Sequence, residues 1–161
     1  MNILSLGAGV QSSCMALMAA KGELTPMPDC AIFADTGAEP WHVYDQLDEI
    51  QEEVPFPVYT VKQNDGLLAD IKNGLKGGRM ASPPFFVAQQ KGRGMLRRQC
   101  TFEYKVRPIQ RKIRELLGLK KGQRGSKEVA VRLWMGISMD ETIRMKPNPV
   151  KWIENIYPLI D

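Results

Sequence analysis

Ser5-Leu6-Gly7-Ala8-Gly9-Val10-Gln11-Ser12-Ser13 joins an apolar run (Ile3, Leu4, Leu6) to a helix-like run (Cys14, Met15, Leu17, Met18), and its reading decides the fold. Glycines at 7 and 9 let the backbone turn sharply and approach a ligand closely, while Ser12 or Ser13 can cap the helix that follows. A strand end passed in this way to a helix N-terminus presents free N–H groups and the positive end of the helix dipole to a phosphate or sulfate. The same residues also make an ordinary tight turn into a helix. Gly-x-Gly alone does not separate the two readings.

Working outward, residues 2–6 read as a strand and residues 12–21 as its helix, with Cys14, Leu17 and Met18 on one face, so that Cys14 is expected to be a small buried thiol. Thr25-Pro26-Met27-Pro28-Asp29 is loop chemistry, and an apolar run over 30–34 ends at Asp35-Thr36-Gly37-Ala38-Glu39-Pro40. Pro40 suits a helix start, and Val43, Leu47, Ile50 and Val54 form an apolar stripe whose opposite, acidic side is a solvated face. Residues 56–61 read as a third strand. Strand, helix, strand, helix, strand predicts a doubly wound, mostly parallel α/β sheet with helices on both faces and right-handed crossovers. Ligands of such sheets lie at the carboxyl ends of strands where the winding reverses, and the glycine loop and Asp35 both stand at carboxyl ends.

Residues 65–73 predict a short helix. Residues 74–98, rich in Gly, Pro and basic residues around Pro83-Pro84-Phe85-Phe86, read as a long loop with local turns, in which the two phenylalanines are expected to pack on something. Its Lys91, Arg93, Arg97 and Arg98 are either solvated or within reach of an anionic ligand. Residues 105–117 give the clearest helix, with Val106, Ile109, Ile113, Leu116 and Leu117 inward and Gly118 as the stop. Arg107, Arg111 and Arg114 fall along its other side, a stripe that suits solvent or a nucleic-acid backbone. Residues 129–137 read as a strand and 152–161 as a last extended element.

The chain has 161 residues, the size of one ordinary domain, and no second domain or repeat is visible; residues 1–161 are expected to form a single nucleotide-binding domain. Its 43% hydrophobic and 25% charged content fits a globular core, and a net charge of +4 suits an anionic ligand without requiring nucleic acid. Cys14, Cys30 and Cys100 are widely spaced and without a C-x-x-C, which supports neither a disulfide framework nor a cysteine-built zinc site and points to a reducing cytoplasm. No metal-ligand set is legible. No run is long enough to span a bilayer, and the first twenty residues, which lack a basic start and are interrupted by Gln11-Ser12-Ser13, read as folded structure instead of a signal peptide.

Four patterns stand together: Gly7-Ala8-Gly9-Val10-Gln11-Ser12, Asp35-Thr36-Gly37-x-Glu39, Cys100-Thr101-x-x-Tyr104-Lys105-x-x-Pro108-Ile109, and Gly136-Ile137-Ser138-x-Asp140-Glu141-x-x-Arg144. In this order the chain resembles the phosphoadenosine phosphosulfate (PAPS) reductase family of the adenine nucleotide alpha hydrolases, also called PP-loop or N-type ATP pyrophosphatases. The family's Ser-Gly-Gly-x-Asp-Ser loop falls on residues 7–12, with a glycine and the final serine kept. Gly7 replaces the first serine, for which Ser5 is a nearby substitute, and Gln11 replaces the aspartate.

The resemblance implies a nucleotide or phosphate site of Ser5, Gly7, Ala8, Gly9, Gln11, Ser12, Ser13, Thr36, Gly37, Gly136, Ile137 and Glu141, with Lys105, Arg144 and Asp35 in catalytic roles. Glu141 is read as orienting Arg144. For Asp35 and Thr36 the residues alone also allow a helix cap. Related adenylyl-sulfate reductases carry two adjacent cysteines where this chain has Cys100-Thr101, and with three scattered thiols no iron-sulfur cluster is expected. The reductases' C-terminal Glu-Cys-Gly-x-His segment has no counterpart in these residues, so the expectation is either a form that lacks a C-terminal extension found in relatives or a chemistry other than reduction. Three functions follow from the resemblance. One is attack at the alpha-phosphate of ATP, with Mg2+ and release of pyrophosphate, in sulfur transfer or nucleic-acid modification with a nucleic acid or sulfur carrier as partner. Another is reduction of PAPS with thioredoxin. The last is a non-catalytic nucleotide-binding or interaction module. No membrane partner is expected, and a homo-oligomer is compatible with all three.

Overall fold

The computed structural model describes residues 1–74, 76, 86–89, 92–95 and 99–160. Five strands, β1 (Asn2–Leu6), β2 (Cys30–Asp35), β3 (Val58–Lys62), β6 (Val131–Trp134) and β7 (Ile153–Ile156), form one sheet in the order β3-β2-β1-β6-β7. Every pairing is parallel, with Leu4 opposite both Ala31 and Trp134. The chain winds outward from β1 to β3, returns across the sheet, and continues from β6 to β7. The winding therefore reverses between β1 and β6.

A parallel sheet covered on both faces needs apolar residues at successive positions. β1 and β2 meet that demand. Leu4, Leu6, Ala31, Phe33 and Trp134 face the helices α1 (Val10–Ala20) and α2 (Trp41–Glu53), while Ile3, Ile32, Val131 and Leu133 face α4 (Arg107–Leu116) through Ile109 and Ile113. All nine of these strand side chains are at most 6% exposed, so the core consists of two apolar layers divided by the sheet.

Helix α1 corrects the expected packing. It begins at Val10 and buries Ser12, Ser13, Met15, Ala16 and Ala19, whereas Cys14 and Leu17 are exposed and Met18 is half-buried. The apolar weight of Leu17 and Met18 suggests the other side. Small residues at 12, 16 and 19 allow the helix backbone to lie close to the sheet, and close packing decided the face. The Cys14 and Met18 sulfurs lie 3.5 Å apart on the outer side.

Helix α2 follows its predicted stripe, with Leu47 and Ile50 buried and Pro40 at its N-cap. Helix α3 (Leu67–Gly74) matches the expected short helix. Within the stretch read as a loop lies an antiparallel hairpin, β4 (Phe86–Gln89) and β5 (Gly92–Met95). Surrounding glycines and prolines obscured its short alternation. Phe86 is 76% exposed, against the expectation that it packs. The expectations for Phe85, Lys91, Arg97 and Arg98 and for the Arg93 side chain lie outside the described residues and side chains.

The helix expected from residue 105 starts earlier and changes pitch. Phe102–Val106 form a π turn that runs into α4, with the Arg107 N–H bonded to the Phe102 carbonyl. Pro108 supplies the reason: inside a regular helix its ring clashes with the carbonyl four residues back, that of Tyr104, and a wider turn relieves the clash. Gly118, at φ +66°, ends α4, with its own N–H on the Glu115 carbonyl and that of Leu119 on the Arg114 carbonyl. β3 and β6 are displaced or shorter at their ends than the sequence suggests.

Candidate functional site

At the carboxyl end of β1 the chain turns through Gly7, Ala8 and Gly9 into α1. The Ser12 hydroxyl ties the turn, accepting from the Gly7 N–H at 3.1 Å and donating to the Gly9 carbonyl at 3.2 Å. Neither serine caps the helix: the N-cap is Gly9, without a side-chain hydrogen bond, and the first helical bond runs from Ser13 N–H to the Gly9 carbonyl. The first N–H groups of α1 thus have no intrahelical acceptor. Ala8 adopts φ +49° although only 2% exposed, a left-handed conformation that disfavours any residue with a Cβ.

The carboxyl end of β6 lies against this turn. A Cβ on Gly136 would stand 2.9 Å from the Ser12 nitrogen and 3.1 Å from the Gln11 Cβ, so only glycine allows the two loops this proximity. A 3-10 segment (Met139–Arg144) follows. In it Arg144 pairs with Glu141 at 2.6 Å, as the sequence suggested, and Glu141 also accepts from the Gln11 amide at 3.4 Å. Gln11, Glu141 and Arg144 form one polar group across the point where the winding reverses.

A second group stands at the end of β2. Asp35 accepts from the Gly37 N–H at 2.7 Å and the Tyr44 hydroxyl at 2.8 Å, and faces Lys62 at 3.1 Å. Burial raises its pKa, but these three partners outweigh burial and hold the carboxyl below its ordinary value. Burial, followed by the Asp35 carboxylate, pushes the Tyr44 phenol up. Thr36 donates to Glu39 at 3.0 Å, and Glu39 pairs with Lys105 at 3.0 Å. Lys105 thereby reaches β2 from the π turn. Gly37, at φ +69°, packs on Gly66, where a Cβ would lie 2.9 Å from the Thr36 carbonyl.

Of the predicted residues, Gly7, Ala8, Gly9, Gln11, Ser12, Gly136, Glu141 and Arg144 gather at the mouth between β1 and β6, and Asp35, Thr36, Gly37 and Lys105 at the end of β2. Ser13 turns away, accepting from Gln46 of α2 at 3.2 Å. Ile137 is buried, and Ser5 lies within β1. Sequence reasoning quoted Glu39 in the Asp35 pattern without giving it a role and did not select Lys62 or Tyr44, and these three hold the second group together. The legible signals were a carboxylate three residues after Thr36 and a lysine closing a strand.

The fold and the placement of these groups define a doubly wound α/β protein with its polar residues at the topological switch point. No family model matches the chain, and no curated protein does. Among solved structures it is similar to the crystal structure of PAPS reductase from Candida auris in a phosphate complex, with a TM-score of 0.56 and 16% identity. The alignment covers 99% of this chain and 66% of that one. The chain thus has a PAPS reductase-like fold. Among the described residues no helix is long and apolar enough to cross a membrane.

Proposed function

We propose that residues 1–161 form one adenine-nucleotide-binding unit that places phosphates on the turn Gly7 to Ser12 and acts at the alpha-phosphate of ATP. The observation that carries the reading is the junction of the uncapped α1 N-terminus with Gln11, Glu141 and Arg144 at the reversal between β1 and β6. An anion there meets free N–H groups, the helix dipole and a guanidinium fork. In the reaction an acceptor oxygen attacks the alpha-phosphorus, the bond to the bridging oxygen breaks, and pyrophosphate leaves with the electron pair. Arg144 and Lys105 offset the charge that develops.

Magnesium fits as an ion brought by the nucleotide. Asp35, Glu39 and Glu141 each already face a cation, and among the described residues no group of three potential ligands is present. Such ions are commonly held by phosphates with one or two carboxylates.

The likeness to a PAPS reductase favours a second reading, in which the same mouth takes PAPS and thioredoxin is the electron donor. Titration calorimetry with ATP plus magnesium, PAPS and adenosine bisphosphate separates the two, and release of pyrophosphate distinguishes turnover from a non-catalytic nucleotide-binding module. The expected result is tightest binding of ATP with magnesium, weakened by Arg144→Gln. Absence of binding by any adenine nucleotide sinks both readings.

A further inference from the structure

The basic side of α4 faces a cleft of about 880 Å3 lined by Arg107, Arg111, Arg114 and Lys121, with Gln63 and Glu115. Residues 105–127 contain nine basic side chains and one acidic, in a chain whose net charge is +4. A solvated helix face ordinarily interleaves both signs, whereas a concentration of one sign repels itself until a counterion arrives.

The arginines are also held in position. Arg114 donates through one guanidinium nitrogen to the carbonyls of Lys120 and Gln123, at 2.9 and 2.7 Å, and Arg111 donates to the side-chain carbonyl of Gln63. These acceptors are neutral, so both residues keep their full charge. Arg107 pairs with Glu103 at 2.7 Å and is half exposed. Phe102, 53% exposed, lies one π turn before Arg107, whose N–H bonds to its carbonyl, so an exposed aromatic residue stands one turn from the cleft's first arginine.

We infer that this cleft binds the phosphodiester backbone of a single-stranded nucleic acid, with a base stacked on Phe102. Fixed cations along a groove next to an exposed aromatic suit a single strand, whose phosphates and bases are both accessible. The arginines line a recess between Gln63 and the loop at 119–122, which favours a single strand over a duplex. The inference does not depend on the nucleotide reading, although α4 and its π turn connect the cleft to Lys105.

The test is fluorescence anisotropy with labelled oligo-dT and oligo-U from ~50 to ~200 mM salt, with no adenine nucleotide present. Three or four neutralised phosphates give a slope of log K against log salt of about −2 to −3. Arg107→Gln combined with Lys121→Gln is expected to reduce the magnitude of that slope by about 1.4, and Arg111→Gln alone by about 0.7. Arg132→Gln, whose partner is Glu154 on β7, leaves it unchanged. Far-UV circular dichroism confirms that each variant folds. An unchanged slope in the double variant overturns the inference, as does equally tight binding of a duplex or of inorganic polyphosphate.

Discussion

The Tyr104 hydroxyl donates to Oδ2 of Asp70 across 2.7 Å from a residue only 1% exposed, tying the π turn to α3. Burial, then the Asp70 carboxylate, pushes its phenol far above the ordinary range, so the ring remains a neutral donor at any working pH. Tyr104→Phe removes the bond and leaves a half-buried carboxylate without this donor. Urea unfolding is expected to show a loss of about 1–2 kcal/mol at an unchanged slope. A variant as stable as the parent shows that the tie contributes nothing.

Acid sensitivity is expected to report on Asp35. Its carboxyl titrates below 3.8 in the folded chain, so the stability it supplies is complete above its unfolded pKa and is lost as pH falls below 3.8 toward the folded value. Asp35→Asn is therefore expected to lower stability at neutral pH and to flatten the decline in this acid window. Thermal melts from neutral to acidic pH measure both effects, and a parallel decline in the two proteins argues against the assignment.

Two substitutions in the turns are expected to differ in cost. Gly66→Ala brings a Cβ within 2.9 Å of the Thr36 carbonyl at φ +96°, and a destabilisation of about 1–3 kcal/mol is expected. Ala8→Gly relieves a left-handed alanine at φ +49° but deletes a buried methyl, two effects of about 1 kcal/mol each and of opposite sign. Its midpoint in urea is expected to lie near that of the parent. A severe loss in Ala8→Gly shows that the methyl outweighs the strain.

Thiol labelling distinguishes the cysteines. Cys14 is exposed and is expected to react promptly with a disulfide reagent. Cys30 is buried, and burial followed by the Asp29 charge raises its thiol to about 11, so modification awaits unfolding. Rapid labelling of Cys30 in the folded chain contradicts its place beneath α4.

The sheet was legible because β1 carries Ile3, Leu4 and Leu6 and β2 is apolar from Cys30 to Ala34, runs that serve both helical layers and are too short for helices. The pairing of Glu141 with Arg144 was expected from the resemblance of residues 136–144 to a family segment, and the two side chains do meet. The face of α1 was not legible, since hydrophobicity favours Leu17 and Met18 while proximity to the sheet favours Ser12, Ala16 and Ala19. The groups that fix Asp35 were hidden for a different reason. Tyr44 and Lys62 come from separate elements, and only their meeting at the end of β2 gives them a role.

The π turn has a consequence for side-chain phase. In a regular helix, positions five apart diverge by about 140°, so Phe102 and Arg107 would occupy different sides. The bond from the Arg107 N–H to the Phe102 carbonyl makes five residues one turn and brings those two positions into phase, ahead of the regular turns that carry Ile109 and Ile113. The extra residue is thus a phase shifter between the core of α4 and Lys105. Deleting Val106 rotates everything before it by about 100°, which carries Tyr104 off Asp70 and Lys105 off Glu39 while α4 itself keeps its seat.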